Sequence, residues 1–171
     1  MKILAIDPSG AFNEGKGQTG YVVTINSKII SFGSIKAWEY VSRADYWKAI
    51  ADLITNNKPH VMVIEQYRIY GSQAATHINS EMETSKLLGY LEMKALENKI
   101  PVEFQMAVSV KTRFNDKILT HLGYIRRDNR GAYYLDAQHV PNHTVDALRH
   151  ALFYDMKRRK KELKDAKEKK L

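Results

Sequence analysis

Two apolar runs in the sequence each end in a carboxylate: Ile3-Leu4-Ala5-Ile6-Asp7 and Val61-Met62-Val63-Ile64-Glu65. Such near-continuous runs read as buried central strands. If the two strands are parallel neighbours, Asp7 and Glu65 emerge at the same sheet end, where open α/β sheets hold their ligands. A second pair lies far along the chain. His143 and Asp146 share one helical face, in a first turn beside Asn142. A helix N-terminus aimed at the sheet end would bring all four together. Close-packed carboxylates repel unless a proton or a cation neutralises them. Hard divalent ions such as Mg²⁺ and Mn²⁺ prefer oxygen donors. Two such ions roughly 3.5–4 Å apart stabilise the attacking and leaving oxygens of a phosphoryl displacement. Taken singly, each residue has an ordinary explanation. Asp7-Pro8-Ser9-Gly10 is a good turn, a Glu often marks a solvated strand exit, and an acid suits a first helical turn. Strand order and acid placement agree independently, and that favours the joint reading.

The elements that must position these residues follow from pattern. After the first strand, Lys2 to Ile6, a Gly-rich stretch runs through Gly15, Gly17 and Gly20. It is no phosphate-binding loop of the Gly-Lys-Ser/Thr type, because Gly15-Lys16-Gly17 stands at that place. Tyr21–Ile25 and Lys28–Ile35 read as strands around a tight Asn26-Ser27 hairpin. A helix is predicted over Arg43–Asn57, with Trp47, Ile50, Leu53 and Ile54 on one face, ending before Pro59. A long helix is predicted over Thr76–Glu97, with apolar Met82, Leu87, Leu88, Leu91 and Leu96. Val102–Met106 is a strand, and Ser109 can cap a helix from Val110 to His121 that ends at Gly123. Tyr124–Gln138 reads as a loop or a short irregular excursion, and Pro141-Asn142 opens a last helix. Three meandering strands followed by strands alternating with helices make a mixed α/β domain. That is the element order of a ribonuclease H-like architecture: a mixed five-stranded sheet flanked by helices.

A chain of 171 residues, 44% hydrophobic, builds one domain with a sizeable core. The absence of cysteine excludes disulfides, thiolate zinc sites and a cysteine nucleophile. No apolar run approaches membrane-spanning length, and Asp7 interrupts the N-terminal run too early for a signal peptide. A soluble, cytoplasmic protein with no membrane partner is expected. The net charge of +8 is uneven: residues 157–171 carry +6 and residues 1–156 only +2. The expected division is therefore a domain over 1–156 and a basic tail over 157–171. Basic tails are either solvated helix ends or non-specific arms for phosphates. A second basic cluster, Lys111, Arg113, Lys117, Arg126, Arg127 and Arg130, lies inside the body.

Three segments together resemble the RuvC-type Holliday junction resolvases, a ribonuclease H-like group of structure-selective DNA endonucleases. They are Ala5-Ile6-Asp7-Pro8-Ser9-Gly10 with Thr19-Gly20-Tyr21, Val63-Ile64-Glu65-Gln66, and His143-Thr144-Val145-Asp146-Ala147-Leu148. Ser109-Val110-Lys111 also resembles the family's lysine-bearing helix start. The likeness spans about residues 1 to 155. It implies catalytic acids Asp7, Glu65 and Asp146, with His143 at a position that is Asp or His in the family. It implies Mg²⁺ or Mn²⁺, two ions per site, with Asp7 bridging and Glu65, His143 and Asp146 completing the metal sites. It implies a homodimer acting on branched DNA, with Lys111 and Lys117 contacting phosphate; the long helix Thr76–Glu97 resembles the family's dimer helix, and ordinary core packing explains it equally well. Arg68 stands where bacterial members carry a wedge phenylalanine, flanked by Tyr67 and Tyr70, either of which can stack on a base. The loop Ala11–Gln18 is longer than is usual in the family. These departures point to a phage-type relative, acting in the host cytoplasm, with a broad taste for branched DNA. Two rivals are a nuclease for structured RNA or hybrid and a non-catalytic junction-binding module. A third, an actin-like phosphate-binding fold, normally needs a longer chain.

Overall fold

Side-chain alternation along strand β1 (Lys2–Asp7) decides the architecture. Successive residues of a strand point to opposite faces. Ile3 and Ala5 join one apolar cluster, and Leu4 and Ile6 join the other, so both faces of β1 are buried. The computed structural model describes residues 1–67 and 82–168. In it, β1 pairs antiparallel with β2 (Gln18–Ile25), which pairs antiparallel with β3 (Lys28–Lys36). On its other side β1 runs parallel to β4 (Val61–Glu65), and β4 parallel to β5 (Val102–Gln105). The sheet order is β3-β2-β1-β4-β5. The expected mixed five-stranded sheet flanked by helices is therefore present. The β2–β3 hairpin turns on Asn26 and Ser27, with φ of 51° and 67°, as a two-residue loop between twisted strands requires.

Helices α1 (Arg43–Asn57) and α2 (Glu83–Glu97) cover one face, where Tyr46, Ile50 and Ile54 meet Leu87 and Leu91. Ser42 caps α1, its hydroxyl accepting from the Asp45 N–H at 3.1 Å. The other face is covered by the last helix, numbered α5 here (Asn142–Glu168), with α3 (Ala107–Arg113) and α4 (Asp116–His121) beside it. A small antiparallel sheet of β6 (Arg126–Arg127), β7 (Tyr133–Leu135) and β8 (Gln138–Val140) lies between α4 and α5 in the chain. It occupies the segment expected to be irregular.

Two predicted helices need correction. The helix predicted over Thr76–Glu97 does not run through Met82, which is left-handed at φ 48°; α2 starts at Glu83, and residues 76–81 lie outside the described set. Leu96 is exposed, so the buried stripe of α2 is Leu87, Leu91 and Ala95. The helix predicted over Val110–His121 is two helices, broken at Phe114-Asn115, and Ser109 lies inside the first. Asn115 caps the second by accepting from the Ile118 N–H at 3.1 Å, a competing use of a short polar side chain. Gly123 does end that region, at φ 74°. The boundary at 157 falls within α5, which continues unbroken to Glu168.

The seat of α5 is fixed at both ends. A Cβ on Gly20 would stand 2.1 Å from the backbone carbon of His143, so only glycine lets the first turn of α5 press on β2 there. Gly20 is the β2 partner of Asp7. Thr144 adds a hydroxyl bond to the Gly33 carbonyl at 2.9 Å. Further along the helix, the buried Asp155 accepts from Ser27 in the hairpin and from Arg158 and Arg159, the last at 2.9 Å. Burial alone would raise the Asp155 pKa, but the Ser27 hydroxyl and the two guanidinium groups hold it below the ordinary carboxylate value. A depressed carboxylate stabilises the fold above its unfolded pKa of about 3.9 and loses that contribution as pH falls through the folded value. Asp155→Asn is therefore expected to lower the unfolding free energy at pH 7 by about 1.5–3 kcal/mol, read from urea titrations. The gap between variant and wild type should close as pH falls below about 4.

Candidate active site

The alternation that buries β1 and β4 continues to their last residues. Asp7 follows Ile3 and Ala5, and Glu65 follows Val61 and Val63, all on the α5 side. Asp146 comes down from the first turns of α5. Ligand atoms of Asp7, Glu65 and Asp146 lie within 4.8 Å of one another, and Asp7 and Asp146 are buried. His143 reaches the cluster through Asp7, its Nδ1 lying 2.7 Å from Oδ2. The four residues singled out in the sequence are thus brought together, at the carboxyl end of two parallel strands.

Each acid has a basic neighbour. Lys111 Nζ lies 2.9 Å from Oδ2 of Asp146, and the buried Arg149 donates to Oδ1 of the same carboxylate. His150 Nε2 lies 3.0 Å from Oε2 of Glu65. Burial pushes the Asp7 carboxyl upward; the His143 hydrogen bond opposes this, and the charge of Glu65 adds to it. The hydrogen bond to Asp7 pushes His143 upward, against the effect of burial. Burial would lower Lys111, but its hydrogen bond to Asp146 and the surrounding negative charge leave it raised.

The turn after β1 is held rigidly. Tyr46 donates to the Ser9 carbonyl at 2.7 Å, and the Ser9 N–H donates to Thr19 Oγ1 at 3.1 Å. Burial pushes the Tyr46 phenol to about 12. The Gly10 N–H donates to Thr84 Oγ1 at 3.1 Å, and a Cβ on Gly10 would meet the Glu83 backbone at 2.3 Å. The Gly-rich loop then folds back, Gly17 N–H to the Ala11 carbonyl at 3.0 Å.

Three carboxylates from three elements form an all-oxygen donor set, in which burial foremost, with the nearby charges of Glu65 and Asp146 adding to it, raises the Asp7 carboxyl. That chemistry fits a hard divalent cation. Beside the cluster lies a cleft of about 580 Å³, bordered by Lys111, Asn115, Lys117 and Asn142. The other basic residues are further out. Arg126 stacks over the Tyr134 ring at 4.4 Å, and Arg127 over Tyr133 at 5.2 Å. Arg130 is exposed, and Arg113 turns toward Met156 at 3.4 Å. Tyr67 is partly exposed just past Glu65, whereas Arg68 and Tyr70 lie outside the described residues. Sequence reasoning missed Arg149, His150 and Gln105. The first two stand three and four positions after Asp146, so helical spacing alone could have placed them on the acid-bearing face. The short β5 gave no such signal for Gln105.

Sheet order and flanking helices define a ribonuclease H-like fold. Among solved structures, the chain is similar to Thermus thermophilus RuvC in complex with a Holliday junction substrate. The TM-score is 0.60 and the identity 19%, over 89% of this chain and 90% of that one. A second Thermus thermophilus RuvC structure matches with a TM-score of 0.56 and 17% identity, over 89% of this chain and 92% of that one. No protein-family model matches the sequence, and no curated protein matches it. The chain has the fold of RuvC, as the sequence resemblance implies. No helix among the described residues is long and apolar enough to cross a membrane.

Arg149 joins Asp146 to Asp116 of α4 while nearly inaccessible itself. Removing one partner of a buried pair leaves uncompensated charge. Arg149→Met, which keeps the stem's packing, is expected to cost about 3 kcal/mol of unfolding free energy in urea titrations. A reduction no larger than that of an exposed arginine would show that the pairing adds nothing.

Proposed function

We propose that the protein is a divalent-metal-dependent endonuclease selective for branched DNA, resolving four-way junctions and other branches in recombination, repair or debranching. The observation that carries this reading is the convergence of Asp7, Glu65 and Asp146 within 4.8 Å, at the end of parallel strands in a RuvC-like fold. Of the two RuvC structures, one is of a complex with a Holliday junction substrate. That supports branched DNA as the substrate class here.

Asp7, Glu65 and Asp146, with His143 completing the set, would hold two Mg²⁺ or Mn²⁺ ions, which would supply charge neutralisation at the scissile phosphate and a water of lowered pKa. By the RuvC resemblance, Asp7 would be the ligand common to both ions. Lys111 keeps Asp146 paired and presents its ammonium to the cleft where the phosphate enters. Lys117 and Asn115 line the same cleft and orient the backbone. Arg113, Arg126, Arg127 and Arg130 offer cationic surface to flanking phosphates. Tyr67, Arg68 and Tyr70, just past Glu65, contact the bases at the branch, the tyrosines by stacking. A second copy of the chain pairs along α2, which leaves Met93 and Leu96 exposed, so that a dimer presents one site to each of two strands. The protein is read as a phage-type member working in the cytoplasm.

The direct test is cleavage of a labelled four-way DNA junction beside linear duplex, Y-fork and RNA–DNA hybrid, each with Mg²⁺, Mn²⁺ or EDTA. Paired, metal-dependent nicks near the crossover support resolution, and fork cutting as well supports a broad debranching enzyme. Cutting of the hybrid alone makes the protein a ribonuclease, and tight binding without cutting makes it a binding module. Asp7→Asn is expected to abolish cleavage while junction binding in gel shifts persists.

The end of α5 carries a separate expectation. Lys157 and Arg159 are tied to the body through Glu103 and Asp155, so the informative truncation begins at Lys160. Removing residues 160–171 is expected to weaken binding to all DNA shapes. The slope of log affinity against log salt should shrink by about 0.9 for each phosphate that the segment neutralises in the full-length chain. An unchanged slope would make the segment a solvated helix end.

A further inference from the structure

We propose that His150 is a positioning residue for Glu65, fixing the orientation of that carboxylate through a second anchor at Gln105; the inference rests on the metal-centre reading above. His150 is fully buried on α5, four positions after Asp146. Its ring spans two adjacent strands. Nε2 lies 3.0 Å from Oε2 of Glu65 on β4, and Nδ1 lies 3.0 Å from Oε1 of Gln105 on β5. Glu65 and Gln105 are direct neighbours in the parallel β4–β5 register. Gln105 is itself buried and oriented from behind, because its amide nitrogen donates to Oε1 of Glu103 at 3.1 Å. That leaves the Gln105 carbonyl oxygen facing Nδ1 and a carboxylate oxygen facing Nε2; both are acceptors, so both ring nitrogens act as donors. Glu103 in turn accepts from Lys157 at 2.9 Å, which returns the chain of hydrogen bonds to α5.

Packing alone does not explain a histidine here. The position faces an interior where an aliphatic side chain would carry no desolvation penalty. The imidazole is stable there only because both ring nitrogens are bonded, and those two bonds fix the ring plane. A fixed ring fixes one oxygen of Glu65. Such partners behind a metal-binding carboxylate orient it, and their removal weakens metal binding about 10–100-fold.

The test uses the full-length chain. Mn²⁺ affinity is measured from the electron paramagnetic resonance signal of free Mn²⁺ for wild type, Asp7→Asn, His150→Leu, His150→Gln and Gln105→Met. Thermal unfolding and junction-cleavage kcat and KM are measured alongside. His150→Leu preserves bulk and removes both bonds; Mn²⁺ binding is expected to weaken about 10–100-fold, with kcat reduced and KM for the junction unchanged. His150→Gln places an amide nitrogen near the position of Nε2 and should restore most of the affinity. Gln105→Met, which frees Nδ1 while leaving Glu65 and His150 in place, should weaken Mn²⁺ binding to a lesser degree. It carries the test if His150→Leu does not fold. The proposal is overturned if these variants bind Mn²⁺ as wild type does while Asp7→Asn does not, or if His150→Gln binds as poorly as His150→Leu. If Asp7→Asn leaves Mn²⁺ affinity unchanged, the metal centre itself fails, and the role of His150 falls with it.

Discussion

Three carboxylates within 4.8 Å, two at the ends of buried strands and one on α5, set the demand that the rest of the molecule meets. Their mutual repulsion grows as water is excluded, because the local dielectric falls. Each acid is therefore matched by a base: His143 on Asp7, His150 on Glu65, Lys111 and Arg149 on Asp146. Three of these four bases lie on α5. The placement of one helix thus decides whether the cluster is tolerable. That explains why α5 is fastened so thoroughly: by backbone contact at Gly20, by Thr144 on Gly33, and by Asp155 on the β2–β3 hairpin.

The sheet contributes precision of a different kind. Asp7 and Glu65 leave strands buried on both faces, where side chains have little room to move. The turn that follows Asp7 is not free either. Tyr46, Thr19 and Thr84 each hold a backbone group of Ser9 or Gly10. The two acids are therefore presented by rigid elements, as a site that must hold a cation in fixed geometry requires. The cleft beside them is built from the short helices α3 and α4, the first turns of α5 and Tyr133 of β7, with long side chains such as Lys111 and Lys117 in its lining.

Much of this was legible in the sequence, for identifiable reasons. Buried strands read as continuous apolar runs, so a carboxylate at the end of each stands out. His143 and Asp146 were visible because they fall in a helix start marked by Pro141-Asn142. What escaped were residues whose roles are set by tertiary neighbours. Gln105 gains its meaning only from lying beside Glu65 across β4–β5. Met82 looked like one more apolar residue in a helical stripe, and its left-handed backbone has no counterpart in periodicity. Tyr133 and Tyr134 lie in a strand paired on both sides, with β6 and β8, and Arg126 and Arg127 stack on their rings across that small sheet.

The broken helix and the unforeseen arginine are one device. A continuous helix from Val110 to His121 would satisfy the Phe114 carbonyl within itself. The break at Phe114-Asn115 leaves that carbonyl free, and Arg149 Nε donates to it at 3.0 Å. The same break starts α4 at Asp116, which meets the other side of the Arg149 guanidinium. Asp116 also accepts from Tyr133 at 2.7 Å and lies 3.4 Å from Arg127. A single planar cation thus ties the acid cluster, the break between α3 and α4, and the edge of the small basic sheet into one network. Arginine suits this post because its donors fan out in one plane and its charge persists when buried. A lysine would offer a point charge to one carboxylate and leave the Phe114 carbonyl unpaired. Asp146 is gripped by Arg149 of its own helix, which the break at Phe114-Asn115 engages from the other side, while Lys111 approaches it from the cleft.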